Sequence, residues 1–178
     1  MGTTEGRWLR RATEDDGAAC AAIYAPYVTD TAISFETEPP SPAEMAVRIE
    51  AASRRHAWIV LQDAESVIGY AYGLPFRPRA AYDWTREVSV YMEMGRRRTG
   101  WGRTLYTALL ARLAERGFHL AVAGMTLPND ASVGLHKALG FESIGTYRKI
   151  GWKLDAWHDV HWRQRPLAVL PDPPEETR

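Results

Sequence analysis

A strand–loop–helix–strand unit in the middle of the chain constrains the fold more than any other feature. Residues 87–94 (EVSVYMEM) alternate between polar and apolar side chains, which is the pattern of a β-strand. A glycine-containing loop follows at 96–102, and residues 104–116 carry leucines at helical spacing before Gly117, a typical helix stop. The apolar run at 120–127 then predicts a strand that is buried on both faces. Because a crossover helix joins strands that run in parallel, this unit predicts a parallel strand pair.

The rest of the chain predicts antiparallel strands and two more helices. One helix begins at Thr13, and another begins at Ser41 with Pro42 and Glu44 in its first turn. We expect the further strands at 8–12, 58–61, 67–74, 144–150 and 159–167. The predicted fold class is therefore α/β, of the α+β kind, with a single mixed and mostly antiparallel central sheet flanked by helices.

Length and composition restrict the class of protein. The 178 residues suit one domain, which we assign to 7–168, followed by a proline-rich tail at 169–178. A formal net charge of zero argues against nucleic acid as a partner. No apolar run reaches about 18 residues and the N-terminus lacks a signal-peptide pattern, so we expect no membrane partner. Cys20 is the single cysteine, which excludes an intrachain disulfide and suggests a cytoplasmic location.

The loop before the crossover helix carries a chemical signal, since residues 97–102 read RRTGWG. Gly100 and Gly102 allow a sharp turn and leave their amide N–H groups uncovered at the positive end of a helix, an arrangement that binds pyrophosphate. Neighbouring arginines add positive charge. The loop matches neither a nucleotide-hydrolysing P-loop nor a dinucleotide fingerprint. A tight loop with solvated arginines is the alternative interpretation.

A second motif follows the apolar strand, where Asn129 and Ser132 begin a short helix that Leu-Gly-Phe at 139–141 closes. Together with Arg-x-x-Gly-x-Gly at 97–102, this pattern resembles the GCN5-related N-acetyltransferases, the GNAT superfamily. The phosphinothricin N-acetyltransferase branch is similar in four further segments: 81–87 (AYDWTRE), 89–91 (SVY), 127–130 (LPND) and 157–160 (WHDV). The resemblance runs over nearly the whole chain, from about residue 9 to residue 167.

This resemblance implies a GNAT fold whose parallel strand pair is splayed at an acetyl-CoA site. Acetyl-CoA would be the co-substrate, with its pyrophosphate on the glycine loop and its pantetheine arm lying along residues 89–92 like an added strand. A backbone N–H near Val90 would stabilise the oxyanion. The implied cofactor-binding residues are Ser89, Val90, Tyr91, Met92, Arg97, Arg98, Thr99, Gly100, Trp101, Gly102, Arg103, Asn129 and Ser132.

Glu87 resembles the general base of the family, which takes a proton from the acceptor amine directly or through a water. We expect it to lie among Trp84, Val88 and Val90, where partial burial would raise its pKa toward the working pH. The alternative is an exposed carboxylate at the strand end, paired with a neighbouring arginine, Arg86 or Arg79.

His136 is the second catalytic candidate, at a position where many relatives in the wider superfamily have a tyrosine. It would donate a proton to the leaving thiolate or hold the substrate. The alternative for His136 is a histidine on the helix surface. Asn129 would bond the pantetheine amide, cap its own helix, or do both.

The acceptor side of the site is implied by the loop before Glu87. Arg77 and Arg79 suit a carboxylate or phosphinate, and Phe35 and Tyr82 would form the walls of the pocket. A solvated basic loop is the alternative. The implied acceptor is a small amino-acid-like amine of the phosphinothricin, methionine sulfoximine or methionine sulfone type. The loop sequence around Arg77 differs from that of the relatives, which leaves the exact acceptor open.

The C-terminal strands carry two further expectations. His158 and His161 have a spacing that would suit a metal, but they point to opposite faces of a strand, so we expect no metal site. The resemblance also implies a homodimer that pairs through these strands, where Trp152, Trp157 and Trp162 cluster.

The sequence leaves three functions to compare. The first is an acetyl-CoA-dependent N-acetyltransferase for a small amine, with a role in antibiotic or herbicide resistance or in housekeeping. The second is a peptide or protein N-acetyltransferase, which would favour an open acidic groove instead of a loop bearing arginines. The third is a non-catalytic acyl-CoA-binding module, which we would expect to lack a base at Glu87.

Overall fold

A seven-stranded sheet with helices on both faces forms the molecule in the computed structural model, which describes residues 6–64, 66–96 and 100–168. The tail predicted at 169–178 and the loop residues Arg97, Arg98 and Thr99 lie outside these residues. The strands are β1 Arg7–Arg11, β2 Ala57–Asp63, β3 Ser66–Pro75, β4 Thr85–Met92, β5 Leu120–Thr126, β6 Glu142–Lys153 and β7 Ala156–Pro166. The helices are α1 Gly17–Thr29, α2 Pro42–Arg55, α3 Trp101–Glu115 and α4 Asp130–Ala138, with 3-10 turns at Glu14–Asp16 and Ala80–Tyr82.

The strand order is β1-β2-β3-β4-β5-β7-β6, and every neighbouring pair is antiparallel except β4 and β5. This confirms the predicted fold class. The parallel pair is short, because β4 meets β5 at Thr85, Arg86 and Glu87 and the two strands then separate. β4 stays paired with β3 as far as Met92, and β5 stays paired with β7 as far as Thr126. We call the gap between them the β4–β5 opening.

Two hydrophobic cores lie on opposite faces of the sheet. On one face, α3 buries Leu105, Leu109 and Leu113 against the strands. On the other face, α1 and α2 pack over the sheet in a second core, which includes the buried Cys20 and Ile49. No helix among the described residues is long and apolar enough to span a membrane.

Local sequence signals begin the two N-terminal helices as predicted. Ser41 accepts a hydrogen bond from the Glu44 amide, and the Glu44 carboxylate accepts one from the Ser41 amide at 2.7 Å, which completes a capping box. Thr13 and Asp16 form a similar box, but they begin a 3-10 turn that leads into α1.

The last two strands are longer than the sequence predicts. They form a hairpin over 142–153 and 156–166, where we expected strands at 144–150 and 159–167. The turn consists of Leu154 and Asp155, both with positive φ, as a type I′ turn requires. Leu-Asp is not a typical turn sequence. Almost all residues of the two strands are exposed or half-buried, so no buried apolar pattern marks the strand ends.

Asp16 fastens β1 to the start of α1, and its removal should cost stability. Its carboxylate accepts hydrogen bonds of 2.6 and 2.7 Å from Arg10 and one of 2.9 Å from the Thr13 amide. Burial alone would raise the pKa of Asp16, but the bonds from Arg10 and Thr13 outweigh it and lower the pKa. We expect Asp16→Asn to lower the free energy of unfolding by about 2 kcal/mol at neutral pH, measured by urea titration.

The pH dependence follows from the sign of that shift. Because the folded-state pKa is lowered, the contribution of Asp16 is present above the ordinary carboxyl pKa and is lost as the pH falls through the folded-state value. The difference between wild type and Asp16→Asn should therefore shrink in acid. Asp15→Asn changes an exposed neighbour and is the control. Equal stability of the two variants at neutral pH would contradict this account.

Candidate active site

A cavity of about 520 Å³ lies where β4 and β5 separate, and we call it the acceptor cavity. It brings together three of the residues predicted from the sequence: Phe35, Arg77 and Glu87. Its other lining residues were not predicted: Ile33, Gly124, Thr126, Tyr147, Ile150, Val160 and Trp162. Most of this lining is apolar, and Arg77 and Glu87 add one charge of each sign, so the cavity suits a small molecule that carries charged groups at fixed positions.

Glu87 lies on the face of the sheet that α1 and α2 cover. Because side chains alternate along a strand, Glu87 shares this face with Tyr91, whereas Val88 and Val90 belong to the core under α3. The prediction that Val88 and Val90 surround Glu87 is therefore wrong, since both side chains point away from it. Burial raises the pKa of Glu87, and the positive charge of Arg77 partly opposes that rise.

The alternative in which Glu87 pairs with Arg86 is also wrong. Arg86 is buried on the opposite face, with its guanidinium carbon 3.8 Å from the centre of the Phe118 ring. Among the described residues, no ion pair includes the carboxylate of Glu87. A half-buried carboxylate with a raised pKa, beside a cavity, is suited to accept a proton.

An aromatic stack holds Arg77 at the cavity. The Arg77 guanidinium lies 4.1 Å above the Phe76 ring, and Phe76 contacts Trp162 edge-to-face at 5.9 Å. Tyr82 also packs edge-to-face with Phe76, with ring centres 5.7 Å apart. Tyr82 therefore supports the stack and does not line the cavity, which differs from the predicted wall. Arg79 does not line the cavity either, and its side chain is exposed.

The opposite wall forms where the loop after α1 meets the β6–β7 hairpin. Ile33 and Phe35 come from the loop, and Ile150 comes from β6. The Phe35 ring packs so closely on Gly151 that a Cβ atom there would collide with it. No local sequence signal marks these hairpin residues, because their position depends on the register of β6 on β7.

His136 is buried on the α3 side of the sheet, with 4% of its surface exposed, so the surface alternative is wrong. Its Nδ1 lies 2.7 Å from the Ser132 carbonyl, and its Nε2 lies 3.0 Å from the Tyr106 hydroxyl. Burial lowers the pKa of His136, against an opposing effect of the Ser132 carbonyl and with a further lowering by Arg163. A neutral ring therefore donates from Nδ1 to Ser132, which leaves Nε2 as an acceptor for Tyr106.

Tyr106 links His136 to β4. Its hydroxyl is fully buried and lies 3.1 Å from the carbonyl oxygen of Val88, next to Glu87 in the chain. Glu87 and His136 thus lie on opposite faces of the sheet, with the β4–β5 opening between them. Tyr106 escaped the sequence analysis because it reads as one more core position of an amphipathic helix.

The start of α3 matches part of the predicted pyrophosphate site. Gly100 has a φ of +80°, in the region that favours glycine, and a Cβ there would meet no atom of the described residues within 4 Å. A Cβ at Gly102 would meet just the Met92 side chain, at 3.9 Å. In the part of the chain that the structure describes, the space beside these two glycines is therefore largely open, which leaves room for an anion.

Other residues predicted around this loop have different partners. The Trp101 ring packs under Arg7, whose guanidinium carbon is 5.5 Å from the ring centre. Arg103 lines a groove between α3 and β1. Tyr91 is buried in the aromatic core, and the Met92 carbonyl accepts a 2.6 Å hydrogen bond from the Tyr27 hydroxyl.

The capping interpretation of Asn129 is confirmed. Its side chain accepts a 3.1 Å hydrogen bond from the Ser132 amide and so caps α4. The Ser132 hydroxyl lies 3.4 Å from Nδ1 of His136. Both residues therefore help to hold α4, the helix that carries His136, at the edge of the site.

Comparison with known proteins agrees with this geometry. A family model described as an acetyltransferase (GNAT) domain matches residues 9–162. A phosphinothricin N-acetyltransferase from Streptomyces viridochromogenes is 42% identical over 96% of this chain and 92% of that protein. An L-methionine sulfoximine/L-methionine sulfone acetyltransferase from Pseudomonas paraeruginosa is 34% identical over 89% of this chain and 94% of that protein.

A solved structure is also similar to this chain. The phosphinothricin acetyltransferase from Sinorhizobium meliloti, in complex with acetyl-CoA, superposes with a TM-score of 0.86. It is 35% identical and covers 90% of this chain and 88% of its own. The family model and these relatives agree with the splayed sheet, and the chain is therefore an N-acetyltransferase that belongs to the GNAT family, in its phosphinothricin N-acetyltransferase branch.

Proposed function

We propose that the chain transfers the acetyl group of acetyl-CoA to the amino group of a small amino-acid-like acceptor, with Glu87 as general base. The observation that carries the proposal is the position of the Glu87 carboxylate, in a cavity of about 520 Å³ beside the β4–β5 opening. The names of the relatives support an acceptor of the phosphinothricin, methionine sulfoximine or methionine sulfone type.

The opening and the start of α3 fit acetyl-CoA. Among the described residues, β4 has no strand partner on its β5 side after Glu87, so the backbone groups of 89–91 that point to this side are available to the pantetheine amides. The amides of Gly100 and Gly102, at the N-terminus of α3, would hold the pyrophosphate. Acetyl-CoA supplies the activated acetyl thioester when it is bound.

The chemistry is a direct attack on that thioester. The acceptor arrives as an ammonium ion, and Glu87 removes one proton so that the nitrogen lone pair can attack the carbonyl carbon. As the C–N bond forms, the carbonyl oxygen becomes an oxyanion, which the Val90 N–H would stabilise. The C–S bond then breaks, the nitrogen gives up its second proton as it becomes an amide, and the leaving thiolate takes up one proton to become the thiol.

The two faces of the sheet divide the proton transfers between them. Glu87 receives the amine proton on the α1–α2 face, whereas Tyr106 and His136 lie on the α3–α4 face. Both ring nitrogens of His136 have protein partners, so we propose that His136 does not reach the thiolate itself and instead holds the Tyr106 hydroxyl on the thiol side of the opening. His136 is then a positioning residue for Tyr106.

Arg77 gives the cavity its selectivity for an acid group. Its guanidinium lines the cavity together with Glu87, and the remaining lining is mostly apolar. A carboxylate or phosphinate would form paired hydrogen bonds with Arg77, while the rest of the acceptor packs against Phe35 and Trp162.

The first prediction from this proposed function concerns Glu87. Glu87→Gln should lower kcat/KM for methionine sulfone by about 10²- to 10⁴-fold, because the amide cannot take the proton. Since burial disfavours the Glu87 carboxylate, the neutral amide should leave the thermal unfolding temperature unchanged or higher. Thiol release and a thermal melt measure the two effects. Glu142→Gln, an exposed carboxylate on β6, is the control.

The pH profile separates a base from a structural carboxylate. Wild-type kcat/KM should fall as the pH falls through the raised pKa of Glu87, because protonation removes the base. Glu87→Gln should lack this loss. A variant that retains the wild-type rate and profile would remove Glu87 from the mechanism.

The second prediction concerns Arg77. Arg77→Ala should raise the KM of the acceptor about 10- to 100-fold, as expected for the loss of a charged hydrogen bond. The KM of acetyl-CoA should stay within about twofold. Arg79→Ala, on the same loop but outside the cavity, is the matched control. An equal effect of both substitutions would show that the loop acts through its charge alone.

The third prediction concerns assembly, because we propose that the β6–β7 hairpin forms a homodimer. Ile144, Trp152, Leu154 and Trp157 on this hairpin are each more than half exposed, and the two tryptophans pack edge-to-face at 5.3 Å. An apolar patch of this kind marks an interface. Light scattering should give twice the chain mass of 20.0 kDa. Trp157→Glu should shift the mass to that of one chain, and a monomeric wild type would refute the proposal.

A further inference from the structure

We propose that Lys153 is a positioning residue for the acceptor, because its ammonium group ties together the two elements that form one wall of the acceptor cavity. Lys153 is the last residue of β6, and its side chain is buried, with 8% exposed. Nζ donates hydrogen bonds of 2.6 Å to the carbonyl oxygens of Val28 and Ser34. The inference rests on the proposed function, since it assigns a role in binding the acceptor.

The two carbonyls belong to segments far from Lys153 in the sequence. Val28 lies in the last turn of α1, where backbone carbonyls lack helical partners and carry the negative end of the helix dipole. Ser34 lies in the loop that follows α1. A carbonyl oxygen can accept but not donate, so the ammonium group is the donor to both oxygens at once.

The bonds of Lys153 lie directly behind the cavity wall. Ser34 is flanked by Ile33 and Phe35, and both of these side chains line the cavity. Gly151 is two residues before Lys153, and the Phe35 ring packs on it without room for a Cβ atom. The loop therefore meets the hairpin at two places: at Lys153 through hydrogen bonds, and at Gly151 through van der Waals contact.

The loop that carries Ser34 is also held against β4, the strand that carries Glu87. The Ser34 hydroxyl lies 2.6 Å from the Tyr24 hydroxyl, and the Tyr24 ring packs edge-to-face on Tyr91 of β4 at 4.9 Å. Lys153 completes this arrangement by adding the hairpin. The position of Phe35 relative to Glu87 thus depends on a series of contacts that runs from β4 through Tyr24 to the loop. The last contact in this series is the hydrogen bond between the loop and Lys153.

Burial by itself disfavours the charged side chain of a lysine at this position. Desolvation lowers the pKa of Lys153, and the carboxylate of Glu36 in the same loop partly restores it. Glu36 is itself held by a two-bond pair with Arg48, at 2.8 and 2.9 Å. A methionine would fill the same space without the two bonds, which would leave the Val28 and Ser34 carbonyls unpaired.

The acceptor and acetyl-CoA should respond differently to loss of Lys153. The acceptor cavity lies on the α1–α2 face, while the start of α3 lies at the end of β4 on the other side of the opening. Releasing the loop from the hairpin would move Ile33 and Phe35 but would leave the start of α3 in place. A split between the two KM values therefore distinguishes positioning of the acceptor from general damage.

The experiment compares Lys153→Met, Lys153→Arg and Lys149→Met with wild type. Thiol release at neutral pH, with methionine sulfone and acetyl-CoA varied separately, gives kcat and both KM values. We expect Lys153→Met to raise the acceptor KM at least tenfold and the acetyl-CoA KM less than twofold. Lys153→Arg keeps a cation and should recover at least part of that loss. Lys149→Met removes an exposed lysine from the same strand and should behave as wild type.

Hydrogen–deuterium exchange provides a second readout that does not depend on turnover. Amides of residues 30–36 should exchange at least tenfold faster in Lys153→Met than in wild type or Lys149→Met. If Lys153→Met does not fold, Gly151→Ala tests the same wall, since the added methyl group displaces Phe35 while Lys153 stays. It should also raise the acceptor KM selectively.

Two kinds of failure are distinguishable. Active wild type with an unchanged acceptor KM in Lys153→Met, or with both KM values raised equally, would overturn the role of Lys153 alone. A wild type that turns over neither methionine sulfone nor phosphinothricin would overturn the proposed function, and the acceptor role of Lys153 with it.

Discussion

The separation of β4 from β5 after Glu87 is the constraint on which the site depends. β4 remains paired with β3 and β5 remains paired with β7, so each strand keeps its place while the edge between them opens. Buried backbone groups without partners are unfavourable, so a sheet tolerates such a gap where another molecule or side chain supplies the hydrogen bonds. The Tyr106 hydroxyl lies 3.1 Å from one of these backbone groups, the Val88 carbonyl, while it bonds to His136. The pantetheine arm is a suitable donor and acceptor for the remainder.

The alternation of side chains along β4 then gives the opening two chemically different sides. Glu87 faces the acceptor cavity under α1 and α2, while Val88 faces the core under α3, where Tyr106 and His136 lie. The proposed mechanism removes a proton from the amine on one face and adds a proton to the thiolate on the other. The two proton transfers therefore do not require the same side chain. In the proposed mechanism, the two-residue period of β4 thus separates the base, Glu87, from the groups on the thiol side.

Much of this arrangement could be predicted from local sequence. The β4–loop–α3–β5 unit and the capping box at Ser41 depend on neighbouring residues, and the sequence placed both correctly. Glu87 could be identified as a candidate, but its environment was wrong because residues adjacent in a strand point to opposite faces.

The features that escaped prediction depend on long-range packing. Tyr106 looks like a core residue of α3 until α4 brings His136 to its hydroxyl. Phe76 and Trp162 support Arg77 from segments more than 80 residues apart in the chain. Lys153 finds its partners on α1 and in the loop after it. No periodicity or spacing within one segment could reveal these contacts.

The most direct test of the account is a crystal structure of the protein with coenzyme A and methionine sulfone bound together. We expect the coenzyme A sulfur in the β4–β5 opening and the acceptor amine within about 3 Å of the Glu87 carboxylate, or one water away from it. The carboxylate of methionine sulfone should pair with Arg77, and the methionine sulfone side chain should contact Phe35. An acceptor bound outside this cavity, or an amine held away from Glu87, would contradict the account.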